Sequence, residues 1–215
     1  MSSQGTNDLE FTVRTIAQTS VDNEREFSEL DAVVGDGDLG HSLARGFEVV
    51  LADWDSFDRA SPSVFLKKIA LVISQRVGGT SGPLWGTAFL RAAGAVNDRT
   101  ELTGDDAVAM LRAAAEGIKT RGKSDLGDKT LLDALIPMTD ALERELHGAR
   151  HEDAAELARS AASAARGAAE ATTPMQAMRG RPSYTGERSI GSPDAGAMAV
   201  AVIAESVADA WAARA

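Results

Sequence analysis

Apolar side chains recur at the spacing of an α-helix along most of this 215-residue chain. Leu131, Leu135 and Leu142, for example, would fall on one face of a helix. Alanine, the strongest helix former, is abundant, whereas β-branched runs that alternate with polar residues are almost absent. The sequence therefore predicts an all-α protein of about eight or nine amphipathic helices. No linker-like segment interrupts residues 1–215, so we expect a single domain.

The helix boundaries follow from the apolar periodicity and from start and stop signals such as Ser61-Pro62 and Thr103-Gly104-Asp105-Asp106. The predicted helices cover residues 7–19, 22–32, 41–54, 64–77, 84–96, 103–122, 130–147 and 152–171, and a final helix opens at Ser192-Pro193-Asp194.

The formal net charge of −10 argues against nonspecific binding to nucleic acid or to an anionic membrane. The chain has no cysteine, which is compatible with a cytoplasmic setting, and its first residues lack the pattern of a signal peptide. We also see no apolar stretch that approaches the roughly 20 residues needed to cross a bilayer. We therefore expect a cytoplasmic protein.

The residues suited to chemistry lie in the connections between the helices. Four connections are rich in Gly, Ser, Thr, Asp or Arg: GDGDLGHS (35–42), GGTSGP (78–83), RGKSDLGDKT (121–130) and GRPSYTGERSIGSPDAG (180–196). In a bundle of antiparallel helices, alternate connections lie at the same end, so several of these could converge on one site. Three of them lead into helices, whose N-terminal N–H groups bind phosphate readily.

The first of these connections contains a cluster of carboxylates. Asp31, Asp36 and Asp38 lie close together in sequence and would repel one another unless a cation lay between them. Hard divalent cations such as Mg²⁺ take oxygen ligands and usually share them with phosphate groups. The cluster therefore predicts a metal–phosphate loop, although a solvated acidic turn in front of a helix is the alternative for such a triplet.

Other motif interpretations fit less well. Gly35, Gly37 and Gly40 match the spacing of a dinucleotide-binding fingerprint, but that motif follows a β-strand, and here a charged helix precedes it. The acidic loop also lacks the side chains that an EF-hand needs at its fifth and twelfth positions. There is no Walker A sequence.

Taken together, LDAVVGDGDLGHS, GGTSGPLWG, RGKSDLGDKT and GRPSYTGERSIGSPDAG resemble the four signature segments of the DhaL family, the nucleotide-binding subunit or domain of dihydroxyacetone kinase. The segments occur in the same order and span nearly the whole chain. The resemblance implies an eight-helix, up-and-down antiparallel barrel with the nucleotide, ADP or ATP, bound in the loops at one end.

The resemblance also implies roles for individual residues. Asp31, Asp36 and Asp38 would hold two Mg²⁺ ions that bridge the nucleotide phosphates. Positions that match nucleotide contacts of the family are Leu39, Gly40, His41 and Ser42 after the aspartates, Thr80 and Ser81 at the phosphates, Gly122 and Leu131 around the adenine, and Arg181 with Asp194, Ala195 and Gly196. Purely structural roles are open for several of these, such as a helix end for Gly122 and a core position for Leu131.

Some positions depart from the family pattern. The family often has His where Leu39 stands and Asn where Ser42 stands, and its closing GHxDPG is here Gly191-Ser192-Pro193-Asp194-Ala195-Gly196. These changes bear on the fine contacts to the nucleotide rather than on the metal ligands.

The activity that the resemblance implies is phosphoryl transfer to dihydroxyacetone or a related keto sugar held on a separate K subunit. The phosphate donor would be ATP or a phosphotransferase-system phosphocarrier, and the chain would form a homodimer or a heterotetramer with K. A regulatory subunit that acts through a partner protein is the alternative function. A purely structural bundle is a further alternative, and the small inward side chains would leave room for a lipid or another apolar guest.

Overall fold

The computed structural model describes residues 4–148 and 153–214 and contains nine α-helices. They are α1 (Gln4–Asp22), α2 (Glu24–Ala32), α3 (Leu39–Ala52), α4 (Pro62–Arg76), α5 (Ser81–Ala95), α6 (Gly104–Gly122), α7 (Leu132–Leu146), α8 (Ala154–Ala171) and α9 (Ala195–Arg214). Two 3-10 segments, Trp54–Ser56 and Arg181–Ser189, lie between helices. No strand occurs in the described ranges, which confirms the all-α prediction. Glu152, within the helix predicted from residue 152, lies outside the described residues.

Eight of the helices form a closed ring. Each of α3 to α8 packs against the next helix in the chain, α9 packs against α1, and α1 packs against α3. The short α2 lies outside this sequence of neighbours and packs against α3 and α9. The arrangement is compatible with the expected eight-helix barrel.

Local capping sets where the helices begin, and therefore where the connections lie. The Ser61 side chain accepts a hydrogen bond from the Val64 N–H at the start of α4, ahead of Pro62. Thr103 and Asp106 form a reciprocal capping box at the start of α6. These caps agree with the start signals in the sequence.

Ion pairs between neighbouring helices reinforce the ring. The Arg112 guanidinium on α6 contacts Glu143 on α7 at 2.5 Å, and Arg214 on α9 contacts Asp8 on α1 at 2.7 Å. Such pairs contribute little individually, because they are partly solvated. The larger contribution to the stability of the fold comes from fully buried side chains such as Phe27, Phe47 and Phe65.

The interior of the ring contains an apolar cavity of about 500 Å³. Its lining comes from α1 and from α4 to α9, and includes Met110, Leu135, Met138, Ala161 and Val207. Alanine at inward positions of α8 and α9 explains this space, because its side chain is too short to fill the centre of a ring of eight helices.

Helix α9 requires a correction to the sequence analysis. An 18-residue window of this 20-residue helix has a mean hydropathy of 1.4, so the helix is long and apolar enough to cross a membrane by length and composition. The earlier expectation missed it because alanine and valine, rather than large apolar residues, make the helix apolar. In the structure α9 packs against α1, α7 and α8 as part of the ring, and a core helix passes the same test.

Candidate functional site

The four polar connections meet at one end of the ring. They surround a cavity of about 430 Å³, and each of them contributes to its lining. These are the α2–α3, α4–α5, α6–α7 and α8–α9 connections, as expected for alternate connections of an up-and-down arrangement. The predicted site residues that line the cavity are Asp31, Asp36, Asp38, Leu39, Thr80, Ser81, Gly122, Leu131, Arg181, Asp194, Ala195 and Gly196.

The three aspartates form a compact carboxylate cluster. One oxygen from each of Asp31, Asp36 and Asp38 lies within 4.8 Å of the others, as a shared cation would require. Burial raises the pKa of Asp31, and burial together with the charge of Asp36 raises the pKa of Asp38. The structure therefore holds negative charges together at a cost that a divalent cation would remove, so the residues present fit a magnesium site.

Glycine allows the backbone to bring these carboxylates together. A Cβ at Gly35 would lie 2.3 Å from Asp31 Oδ1, so no larger residue fits beside that carboxylate. Gly37 adopts a φ of +75°, a conformation that L-residues rarely adopt. The backbone N–H groups of Leu39 and Gly37 favour the ionised form of the Asp31 carboxyl and partly offset the rise in its pKa. The glycines of the acidic loop are thus explained by close approach and by backbone conformation.

Arg181 connects the α8–α9 connection to the carboxylate cluster. Its guanidinium Nε lies 2.7 Å from Asp36 Oδ2. Its charge also favours ionisation of Asp38. Arg181 therefore lies beside the carboxylate cluster and partly offsets its negative charge, and its contact with a phosphate stays a prediction.

The rest of the cavity lining combines helix N-termini with apolar side chains. Thr80 and Ser81 lie at the start of α5, and Ala195 begins α9, so N–H groups of both helices face this end of the ring. Leu131 and Trp85 contribute to this cavity and also to the apolar cavity inside the ring. The site thus offers an anion-binding region and an adjacent apolar surface.

Three predicted nucleotide contacts lie outside the cavity lining. A Cβ at Gly40 would be 1.9 Å from the Glu24 carbonyl oxygen, so this glycine is needed where α3 packs against α2. The His41 ring contacts Glu24 at 2.9 Å on an exposed surface. Ser42 is buried next to Gly78. These three positions therefore make packing or surface contacts in the structure, and their contacts with the nucleotide stay a prediction.

The sequence analysis placed Lys129 in the 121–130 connection but gave neither Lys129 nor Asp133 a role in the site. Lys129 lines the cavity although only 1% of it is exposed, and it donates hydrogen bonds to three backbone carbonyl groups. The Asp133 carboxylate accepts from the N–H groups of Gly127 and Thr130, which shapes the α6–α7 connection. Lys129 lies in a polar connection and Asp133 in the first turn of α7, where charged side chains are usually exposed, so the local sequence did not distinguish them from surface charge.

Asp194 caps the start of α9, and its carboxyl has an unusually high pKa. Its Oδ1 accepts a hydrogen bond from the Ala197 N–H at 2.7 Å, and burial raises the pKa of its carboxyl to about 7. The unfolded chain would have a pKa of about 3.9 at this position. Because the folded state binds this proton more tightly, the stability from Asp194 is present below about pH 4 and is lost as the pH rises through about 7.

We expect Asp194→Asn to flatten the pH dependence of stability in this range, because asparagine keeps the cap oxygen but does not titrate. Melting temperatures of ligand-free protein, measured between about pH 4 and pH 7, test this. Asp153→Asn is the matched control, because the exposed Asp153 caps α8 through the Glu156 N–H. Parallel pH profiles for wild type and Asp194→Asn would contradict the assignment.

Comparisons with known proteins agree with the geometry. A family model described as the DAK2 domain matches residues 33–209. The chain is 37% identical over 179 residues to the "PEP-dependent dihydroxyacetone kinase, ADP-binding subunit DhaL" of Escherichia coli (strain K12), covering 83% of this chain and 84% of that protein. It is 31% identical over 186 residues to the PTS-dependent dihydroxyacetone kinase, ADP-binding subunit DhaL, of Lactococcus lactis, covering 86% and 88%.

Longer relatives match over only part of their length. The chain is 36% identical over 199 residues to the L-erythrulose 1-kinase of Mycolicibacterium smegmatis. The aligned region covers 92% of this chain and 34% of that protein.

Among solved structures, the dihydroxyacetone kinase of C. freundii in complex with AMP-PNP and Mg²⁺ superposes with a TM-score of 0.74 at 22% identity, covering 97% of this chain and 34% of that one. This likeness supports the fold. The family match over most of the chain and the relatives above 30% identity confirm the resemblance seen in the sequence, and the chain therefore belongs to the DAK2-domain family.

Proposed function

We propose that this chain is the nucleotide-binding subunit of a dihydroxyacetone-type kinase and that residues 1–215 act as one nucleotide-binding domain. The observation that carries the proposal is the convergence of four connections on one cavity that contains three carboxylates within 4.8 Å of one another. The relatives named as ADP-binding subunits support the nucleotide, and their names support a keto sugar as acceptor.

The residues of the site have separable tasks in phosphoryl transfer. Asp31, Asp36 and Asp38 would hold two Mg²⁺ ions. Bound Mg²⁺ would neutralise phosphate charge and orient the terminal phosphoryl group. Arg181 would then turn from Asp36 to the phosphates, with the N–H groups at the start of α5. Leu131 and Gly122 would form the surface for the adenine ring.

The acceptor sugar would be held by a separate K subunit. The relatives that this chain covers to more than four fifths of their length are named as subunits, whereas the chain spans about a third of the L-erythrulose 1-kinase and of the solved kinase. Apolar side chains are exposed on the connections around the cavity, namely Leu126, Met178, Tyr184 and Ile190. This rim is suited to a protein partner that presents the acceptor hydroxyl. We place the complex in the cytoplasm, as a homodimer or a heterotetramer with K.

The proposal predicts that Mg²⁺ and nucleotide together stabilise the protein. At a ligand concentration about 100 times Kd, the stabilisation is about 2.7 kcal/mol, which corresponds to roughly 5–10 °C in melting temperature for a chain of this size. Thermal melts with ADP or ATP plus Mg²⁺, compared with nucleotide plus chelator, test this. An unchanged melting temperature with both ligands present would overturn the proposal.

Native mass spectrometry of the purified protein then separates the phosphate donors. ADP that remains bound with Mg²⁺ and resists exchange supports rephosphorylation by a phosphotransferase-system phosphocarrier. A protein that is purified empty and binds ATP reversibly supports ATP as the donor. In both cases we expect transfer to a keto sugar only after addition of the K subunit.

A further inference from the structure

The side chain of Lys129 ends in an ammonium group enclosed by backbone carbonyl groups. Its Nζ donates to the carbonyl oxygens of Met175 at 2.9 Å, Ser189 at 2.5 Å and Ser192 at 2.7 Å. Only 1% of the residue is exposed. An ammonium group has three N–H donors, so these three acceptors use all of them.

This saturation distinguishes Lys129 from a phosphate-binding lysine. Lys129 lines the cavity of the proposed nucleotide site, where a lysine would ordinarily be assigned to a phosphate. To bind a phosphate, it would have to release at least one buried carbonyl, and leaving such a group unpaired is unfavourable. The ammonium group therefore has a structural role and is not available to bind a ligand.

The three carbonyl groups lie at the two ends of the segment that carries Arg181. Met175 begins this segment, residues 175–192, and Ser189 and Ser192 lie at its end. Within the segment, the Ala177 N–H donates to Ser189 Oγ at 2.9 Å, so both ends converge on the same point. Lys129 thus closes the base of a loop whose Arg181 contacts Asp36 at 2.7 Å.

The backbone conformation of Lys129 also indicates that the fold requires a lysine side chain at this position. Its φ of +60° lies in the left-handed region, which is unfavourable for a lysine. An unfavourable backbone conformation persists only where the surrounding contacts stabilise it, and such positions are often found at functional sites. Here it accompanies a side chain held by three hydrogen bonds.

We propose that Lys129 is a positioning residue that clasps the 175–192 segment and thereby holds Arg181 over the Asp31, Asp36 and Asp38 cluster. Lys129 itself does not touch the nucleotide. Its effect on phosphoryl transfer passes through Arg181, and this part of the inference rests on the proposed function.

Amide hydrogen exchange of the full-length protein without nucleotide tests the clasp independently of the proposed function. We expect Lys129→Met to increase exchange across residues 176–191 by at least roughly tenfold, with helices α4 and α5 unchanged. Lys129→Gln, which keeps two N–H donors, should be intermediate. Lys119→Met is the matched control, because the exposed Lys119 ammonium pairs with Asp125 on the same connection. Wild-type exchange in Lys129→Met, or failure of both variants to fold, would overturn the proposal.

A double-mutant cycle with Arg181→Ala tests the route to catalysis, using the protein with its K partner. Displacement of a catalytic-site group by about 1 Å can lower the rate by about a hundredfold. We therefore expect Lys129→Met, which would displace Arg181, to lower kcat by up to that factor with a smaller change in KM. In the Arg181→Ala background, Lys129→Met should add less than about twofold. Full additivity of the two losses would show that Lys129 does not act through Arg181. If wild type fails to bind Mg²⁺ and nucleotide, the proposed function fails, whereas the exchange result still decides the clasp.

Discussion

Replacing Asp38 with asparagine should abolish magnesium-dependent nucleotide binding at millimolar Mg²⁺ and lower phosphoryl transfer by roughly a thousandfold. The reason is that a metal held between carboxylates supplies several kcal/mol of charge stabilisation, and each 1.36 kcal/mol corresponds to about a tenfold change in rate. Asp38 is suited to this experiment because its side chain makes no cap hydrogen bond at the start of α3. Isothermal titration with Mg²⁺ and ADP, and a kinase assay with the K subunit, provide the measurements.

The ligand-free Asp38→Asn protein should melt at the wild-type temperature or above it. Burial and the neighbouring Asp36 raise the pKa of Asp38, so its charge opposes folding when no cation is bound. Asp125→Asn is the matched control, since Asp125 lies on the rim of the same end and pairs with Lys119. Loss of nucleotide binding in both variants, or a strongly destabilised Asp38→Asn, would contradict the metal assignment.

Replacing Gly40 with alanine should destabilise the protein by about 3 kcal/mol and weaken metal binding as well. The added Cβ would lie 1.9 Å from the backbone oxygen of Glu24 and 2.7 Å from the backbone nitrogen of Ser28. Backbone atoms cannot rotate away, so α3 must shift from α2, and overpacking of this kind costs about 1–3 kcal/mol or more. Because Asp31 lies on α2 and Asp38 precedes α3, the same shift would separate two metal ligands.

Gly167 offers the control for this substitution. It lies inside α8, and nothing approaches within 4 Å of the position of its Cβ. Alanine there should stabilise the protein by about 0.5–1 kcal/mol, because glycine is the weaker helix former. Chemical denaturation of both variants measures the difference. If Gly40→Ala were as stable as Gly167→Ala, α3 would not pack against α2 as closely at Gly40 as the structure shows.

The acidic loop was predictable because its chemistry is encoded locally. Three aspartates within a short glycine-containing stretch predicted a cation site, and the structure brings one oxygen of each of Asp31, Asp36 and Asp38 within 4.8 Å of the others. The helices were predictable for a similar reason, since apolar periodicity and caps such as Thr103 with Asp106 act over one or two turns.

The contacts that the sequence did not indicate join residues from different segments. The Cβ position of Gly40 lies beside the carbonyl of Glu24, so this glycine is needed where α3 packs against α2. Lys129 resembles surface charge until the carbonyls of Met175, Ser189 and Ser192 close around it. In both cases the partner belongs to another segment, and no local pattern identifies it.

The sequence by itself determined that the protein is helical, where its helices begin to within about three residues, which four connections are polar and which family they resemble. These properties depend on backbone propensity, capping and side-chain type, which act within a few residues. Only the tertiary structure decided that the helices close a ring, that Arg181 reaches Asp36, and that the buried Lys129 holds the loop bearing Arg181. The physical reason is that burial, and the need to pair every buried polar group, are set by segments that meet only when the chain is packed.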